Sequence, residues 1–269
     1  MVIYGQVVGC LSQCIGFTVQ TFARKGNIMI LTHPPANMDV LAIVAHPDDA
    51  EIFCGGTLAK HAARGDDVTV AYMTRGEFGG FDTTEAALAE TREAEARRAA
   101  SVLGADVTFL DFKDGRITYS LENRLELVEC IREHAPDIVL THFADDMHPD
   151  HRATSRLVTD AYYMVSLPLL ESEHPPCDPR NVYYFGKPTS SFDPTVIVDV
   201  TDHQETKEEA ALEHESQIAW LEEHGGIDAE FSDFVESMRA DAHTLGRQAG
   251  VTYAEGFTRL HETTVDFLD

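Results

Sequence analysis

From residue 38 onward, short apolar runs alternate with amphipathic stretches, and this alternation constrains the fold more than any other feature of the chain. The runs "VLAIVA" (40–45), "VTVAYMT" (68–74), "VTFLDF" (107–112) and "DIVLTH" (137–142) are of strand length and largely apolar. Helix-like stretches lie between them at 55–64, about 84–103 and 121–134, the last with apolar residues at helical spacing. A helix from about 152 to 166, strands at "NVYYFG" and "PTVIVDV", and helices at 202–222 and 229–248 continue the series. Such repetition implies an α/β protein: a Rossmann-like three-layer fold with a mostly parallel sheet and helices on both faces. No repeat or low-complexity linker interrupts it, so residues 38–269 read as one domain.

Two polar clusters stand out on that scaffold. "AHPDDAE" (45–51) follows the first strand at once, and "HPDH" (148–151) follows the fourth by a few residues, just before a helix. Groups of this kind are costly to bury without partners. In the common doubly wound order 3-2-1-4-5, the first and fourth strands are neighbours at the topological switch point. Ligands bind in the crevice outside their carboxyl ends. Imidazole and carboxylate suit a zinc ion, and a catalytic site keeps one position open for water. His46, Asp49, His148 and His151 are thus four candidate ligands, with Asp48 a spare acid. The proline in each motif fixes φ and stiffens the turn. A plainer account is available for each cluster alone: Asp48, Asp49 and Glu51 can complement a helix dipole, and Asp150 can serve as an N-cap. Two such motifs at one crevice are harder to account for that way.

Charge narrows the partners. With 46 acids against 20 bases the chain carries −26, which argues against nucleic acid or an anionic membrane as a partner. The acids are spread along the chain, and the composition resembles that of cytosolic proteins from salt-loving organisms. Five cysteines at irregular spacings suggest reduced thiols and a cytoplasmic setting rather than a disulfide framework. No run of eighteen apolar residues is present. Residues 1–37 are mildly apolar, but Arg24 and Lys25 follow the apolar stretch instead of preceding it, an order wrong for a signal peptide. The native product is expected to begin at Met38 or Met29, with 1–37 a gene-start artefact or a loosely packed extension.

"AHPDDAE", then "GGTLAKHAARGDDVTV", then "HPDHRAT" resemble the LmbE/PIG-L family of zinc-dependent N-acetyl-sugar deacetylases. "GVTYAEGF" (250–257) further resembles the bacillithiol-deacetylase branch. The likeness runs from Asp39 to about Phe257. It implies that His46, Asp49 and His151 bind Zn²⁺ and that Asp48 is the general base. It also implies that His148 stabilises the oxyanion or helps protonate the leaving amine. Asp150 is expected to orient the His148 imidazole. Arg92 matches an arginine directed at sugar hydroxyls, although an exposed base among the acids of "ETREAEARR" is an equal reading. Asp114 matches a loop acid near the sugar, and Asp-Gly is also an ordinary turn. Glu77 is expected to order its loop, His142 to be a satisfied buried imidazole, Cys54 a core residue and Trp220 helix packing.

The expected activity is removal of an acetyl group from an N-acetylglucosamine-type sugar by metal-activated water. Another metallohydrolase acting on phosphate esters, or a non-catalytic metal- or sugar-binding protein, are the alternatives. N-acetylglucosaminyl malate, N-acetylglucosamine and a chitin disaccharide are the candidate substrates, and the resemblance implies a homo-trimer or hexamer. One departure is Asp146 in "ADDMHPDH", where a tyrosine can occur in thiol-pathway members.

Overall fold

The strand "DVLAIV", Asp39–Val44, has all but its first residue buried, as expected for a strand covered on both faces. The computed structural model describes residues 19–24, 27–32, 37–187, 192–224 and 234–261. The chain divides into two units between Met38 and Asp39. The described part of the first is an antiparallel pair, β1 (Val19–Arg24) and β2 (Asn27–Thr32), with Val19 opposite Thr32 and Arg24 opposite Asn27.

In the second unit the elements run β3 (Asp39–Val44), α1 (Asp49–Arg64), β4 (Asp67–Tyr72), α2 (Glu85–Leu103), β5 (Asp106–Phe109), α3 (Leu121–His134), β6 (Ile138–His142) and α4 (Pro149–Met164). Then follow β7 (Asn181–Phe185), β8 (Val196–Asp199), a 3₁₀ turn at Thr201–His203, α5 (Gln204–Leu212), α6 (Glu215–His224), α7 (Phe234–Ala249) and β9 (Ala254–Arg259). The sheet order is β5-β4-β3-β6-β7-β9-β8. Pairs among β5, β4, β3, β6 and β7 are parallel, and β9 is antiparallel to both β7 and β8. The first and fourth strands of the series, β3 and β6, are therefore neighbours, and the loops after them share one crevice.

Side chains alternate across β3, so its two faces serve different layers. Leu41, Ile43 and Ala45 pack with Leu127 and Ile131 of α3 and Leu157 and Val158 of α4. Val40, Ala42 and Val44 are equally buried but outside that cluster, which leaves them for the opposite face. There α1, α2 and α5 pack against one another. Each fully buried Leu or Ile contributes about 1.5–3 kcal/mol, so the strand bearing the first motif is anchored from both sides.

Several boundaries differ from the sequence reading. Helix α1 starts at Asp49, six residues before the expected 55, because the motif acids Asp49 and Glu51 belong to its first turn and not to the preceding loop. Gly56 is required by close packing: a Cβ there would lie 2.8 Å from Val200 Cβ. The helix expected over 202–222 is interrupted between α5 and α6, where His214 is buried at 1 % exposure. "GVTYAEGF" ends in β9, an element not foreseen as a strand.

Candidate metal centre

Helix α1 opens on Asp48, whose φ of 106° is rare for a non-glycine residue and whose side chain makes no capping bond. Holding such a residue costs on the order of 1–3 kcal/mol. Asp48 thus stands at the N-cap position of α1 without its side chain bonding the helix N–H groups. Its Oδ2 instead accepts from Arg92 Nη2 at 3.2 Å. Arg92 is only 3 % exposed, which overturns the reading of it as an exposed base. Its guanidinium also donates to the Pro47 carbonyl and, at 2.9 Å, to Gly76 O, tying the loop after β3 to the loop after β4. Burial raises the Asp48 carboxyl above its ordinary range, and the Arg92 charge opposes that without cancelling it.

Asp49 is the hub. Its Oδ2 accepts from the His46 backbone N–H at 2.8 Å and lies 3.4 Å from His46 Nδ1. Its Oδ1 lies 3.2 Å from His151 Nε2. The far nitrogen of each imidazole meets further carboxylates. His46 Nε2 is 3.2 Å from Asp114 Oδ1 and 3.3 Å from Asp150 Oδ2, and His151 Nδ1 is 3.1 Å from Asp146 Oδ1. Burial works against charge on these rings, but the surrounding acids prevail, raising His46 well above its usual value and His151 to about 9. The centre is thus rich in carboxylate and calls for positive charge.

The structure brings the expected residues together and assigns some of them differently. His148 caps α4, its Nδ1 accepting from the Asp150 N–H at 3.3 Å. The Asp150 carboxylate does not orient His148. It is aimed at His46 and is held by the N–H groups of Gly115 at 2.7 Å and Ile117 at 3.3 Å. The reason is that the N-cap geometry turns the Asp150 side chain into the protein, where it is 1 % exposed. Asp114, expected near the sugar, is buried beside His46, and its Oδ2 accepts from Phe78 N–H at 3.0 Å. Glu77 accepts from the Asp114 N–H at 3.3 Å and so orders that turn. Glu51 is fully buried and accepts from the Tyr72 hydroxyl at 2.6 Å. Cys54 is a buried residue of α1. The Trp220 side chain lies outside the described residues.

Two residues were undervalued in the sequence. His142 is buried with its Nε2 accepting from Ala45 N–H at 3.0 Å, as a satisfied imidazole should be. It also lies 3.3 Å from Asp49 and stacks on His151 with ring centroids 4.0 Å apart. Burial lowers it to about 4, so it is neutral. Asp146, noted only as a departure, is the acid behind His151.

Three overlapping groups among the described residues have the donors to hold a cation: His46, His148 and His151; Asp49, His142 and His151; His46, Asp114 and Asp150. The donor chemistry fits zinc. Both His46 and His151 turn one nitrogen to Asp49 and the other to an acid, the arrangement usual for metal-bound histidine. Fold and centre together define an α/β protein with a His/Asp centre at its topological switch point.

A family profile described as PIG-L, GlcNAc-PI de-N-acetylase, matches residues 41–162, a stretch that holds both motifs. The diacetylchitobiose deacetylase of Thermococcus kodakarensis is 33 % identical over 230 residues, covering 81 % of each chain. The structure of the conserved protein TT1542 from Thermus thermophilus superposes with a TM-score of 0.73 at 31 % identity, over 85 % of this chain and 97 % of that one. The N,N'-diacetylchitobiose deacetylase of Pyrococcus horikoshii gives 0.71 at 29 % identity, over 84 % of each. The chain belongs to the PIG-L family.

Among the described residues, no helix is long and apolar enough to cross a membrane.

Proposed function

We propose that the protein is a zinc-dependent hydrolase that removes the acetyl group from an N-acetylglucosamine-type sugar or glycoconjugate. The observation that carries this is Asp49 between two imidazoles, His46 and His151, each backed by a further carboxylate, with Asp48 beside them and held by Arg92. Zinc held by His46, Asp49 and His151 would polarise the acetyl carbonyl and lower the pKa of a water towards about 7.

The chain's own groups then divide the proton work. Asp48, held by Arg92 beside the centre, takes a proton from the attacking water as a positioned general base. His148 is lowered by burial, which favours its neutral form. Because its Nδ1 accepts from Asp150 N–H, its Nε2 carries the proton and donates to the negative oxygen developing on the acetyl group. Asp48 returns its proton to the departing amine as the carbon–nitrogen bond breaks, leaving acetate and a free amino sugar.

Free thiols at Cys54, Cys130 and Cys177 support a reducing, cytoplasmic setting for the same reading. The 4-oxalmesaconate hydratase of Pseudomonas putida also matches, at 31 % identity over 45 % of this chain. The diacetylchitobiose deacetylase of Thermococcus kodakarensis matches over 81 % of this chain, which favours amide hydrolysis over addition of water to a double bond. Acetate release from N-acetylglucosamine and diacetylchitobiose, with and without a chelator, tests the proposal. Release that persists unchanged after complete metal removal would overturn the metal-dependent reading, and no release from any N-acetylated sugar would overturn the deacetylase reading.

A further inference from the structure

Above the buried centre, the turn after β5 carries a cation that the deacetylation chemistry does not use. Gly115 and Ile117 both direct their N–H groups at the Asp150 carboxylate. Arg116, between them, is exposed, and its guanidinium lies 5.0 Å from the centroid of the Phe78 ring. Phe78 is 39 % exposed, yet its backbone N–H is fixed on Asp114. Asp114 and Asp150 are the two acids that touch His46 Nε2. The Phe78–Arg116 pair is therefore built onto the same two carboxylates that support the centre, with both side chains exposed to solvent.

Arg116 makes no ion pair among the described residues, in a chain with 46 acids to 20 bases. Its neighbours behave differently. Lys113 Nζ is 3.6 Å from Glu77, Arg75 bonds both Glu93 and Asp111, and Arg97 bonds Glu93. Stacking on an aromatic ring orients a guanidinium while leaving its N–H edge free for a planar anion. The chain's overall negative field repels anions at long range, but salt at about 0.1 M screens it beyond roughly 10 Å, whereas a contact ion pair persists.

We infer that Arg116, held on Phe78, receives a carboxylate or phosphate on the group attached to the sugar, and makes the site selective for acidic N-acetylglucosaminides. This rests on the deacetylase reading and adds a specificity determinant to it. The test is kcat/KM, by acetate release in 1 M salt, on the matched phenyl and 4-carboxyphenyl glycosides of N-acetylglucosamine and on N-acetylglucosamine 1-phosphate. A charge-assisted contact predicts that the wild type favours the carboxyphenyl over the phenyl glycoside by about tenfold or more. Arg116→Gln should abolish that preference through KM and leave the phenyl glycoside within about twofold, since the residue lies outside the proton-transfer groups. Arg116→Lys should keep part of it, and Phe78→Leu should weaken it by freeing the guanidinium. A stronger loss on the 1-phosphate than on the carboxyphenyl glycoside would assign the subsite to phosphate. Equal wild-type rates on the two glycosides, or an Arg116→Gln loss shared equally by both, would overturn the inference while leaving the deacetylase reading intact. Absence of acetate from the neutral phenyl glycoside and from free N-acetylglucosamine would instead sink the deacetylase reading and this one with it.

Discussion

Arg92 Nη2 donates to Asp48 Oδ2 at 3.2 Å, and the same guanidinium holds the Pro47 and Gly76 carbonyls. One buried arginine thus fixes both the loop that carries the candidate base and the glycine loop beside it. The Gly76 position leaves no room for alternatives, because a Cβ there would lie 2.1 Å from Arg92 Nη1. Arg92→Lys removes the planar fork and cannot make all three bonds. We expect a fall in kcat of about ten- to a hundredfold, the scale on which a small misplacement of catalytic groups acts. We also expect a loss of about 1–3 kcal/mol in stability, read from urea unfolding, as for a buried acceptor left unsatisfied. Full activity in the lysine variant would show that Asp48 needs no such restraint.

Asp48→Asn separates proton transfer from metal binding. The amide keeps the shape of the carboxylate but cannot take a proton. Since Asp48 faces Arg92 while Asp49 faces His46 and His151, metal content measured by elemental analysis should stay near that of the wild type. Turnover should drop by about 10²–10⁴, the usual contribution of a positioned base. Retained turnover would remove Asp48 from that role.

Asp146 makes a different prediction. Its Oδ1 lies 3.1 Å from His151 Nδ1 and also accepts from His148 N–H at 2.8 Å. Burial works against its charge, yet its hydrogen bonds to His151 and to the His148 N–H hold its carboxyl down at about 2. Asp146→Ala should weaken metal affinity by about ten- to a hundredfold, the usual cost of removing the acid behind a metal-binding histidine. A competitive chelator titration reads this directly. Asp146→Asn, which can still accept a hydrogen bond, should lose less.

What the sequence disclosed and what it withheld follow from the range of each interaction. The switch-point pairing of β3 and β6 was legible because burial on both faces leaves an uninterrupted apolar run, and because one motif follows each strand. Asp150 was assigned to the wrong histidine, since its neighbour in sequence, His148, is not its neighbour in space. Pro149 starts α4 and turns the carboxylate inward towards a histidine 104 residues away. The acid behind His151 lies five positions before it, but only the turn through Met147 and His148 brings the two side chains together. Helix α1 begins earlier than the sequence pattern predicts because Asp49 and Glu51 look like loop acids, whereas in the fold they form its first turn and are buried with Ala50 and Cys54. The partners of Glu255 are 48 residues and more away, and no local pattern announces them.

His142 predicts an acid sensitivity of the metal-free protein. Burial holds it at about 4, below its ordinary 6.5, so the folded state resists taking a proton that the unfolded chain accepts. Its contribution to stability is therefore complete above about pH 6.5, falls as the pH drops through the interval down to about 4, and changes no further below it. Chelator-treated protein should show a lower urea midpoint at pH 5 than at pH 7. His142→Gln should flatten that difference. A variant as pH-dependent as the wild type would place the sensitivity elsewhere.

Glu255 is the last case, and it concerns how the C-terminal strand is locked to α1. Its Oε1 accepts from Lys207 Nζ at 2.7 Å and from Gly56 N–H at 3.0 Å, and its Oε2 accepts from Thr57 N–H at 2.8 Å. Lys207 and Glu255 are each 3 % exposed, so neither charge can turn to water if the other is removed. Glu255→Ala should cost about 3–5 kcal/mol, because it strands a buried ammonium. Lys207→Met with Glu255→Gln should recover much of that loss, since the lysine charge is gone and the amide can still accept from α1. The Glu255–Lys207 pair is sealed from solvent, so the loss in Glu255→Ala should hold between about 0.2 M and 2 M salt, while absolute stability rises with salt as the −26 surface is screened. Urea midpoints of the single and double variants at both salt concentrations check this. A penalty that vanishes at the higher salt would mean that the pair is exposed in solution.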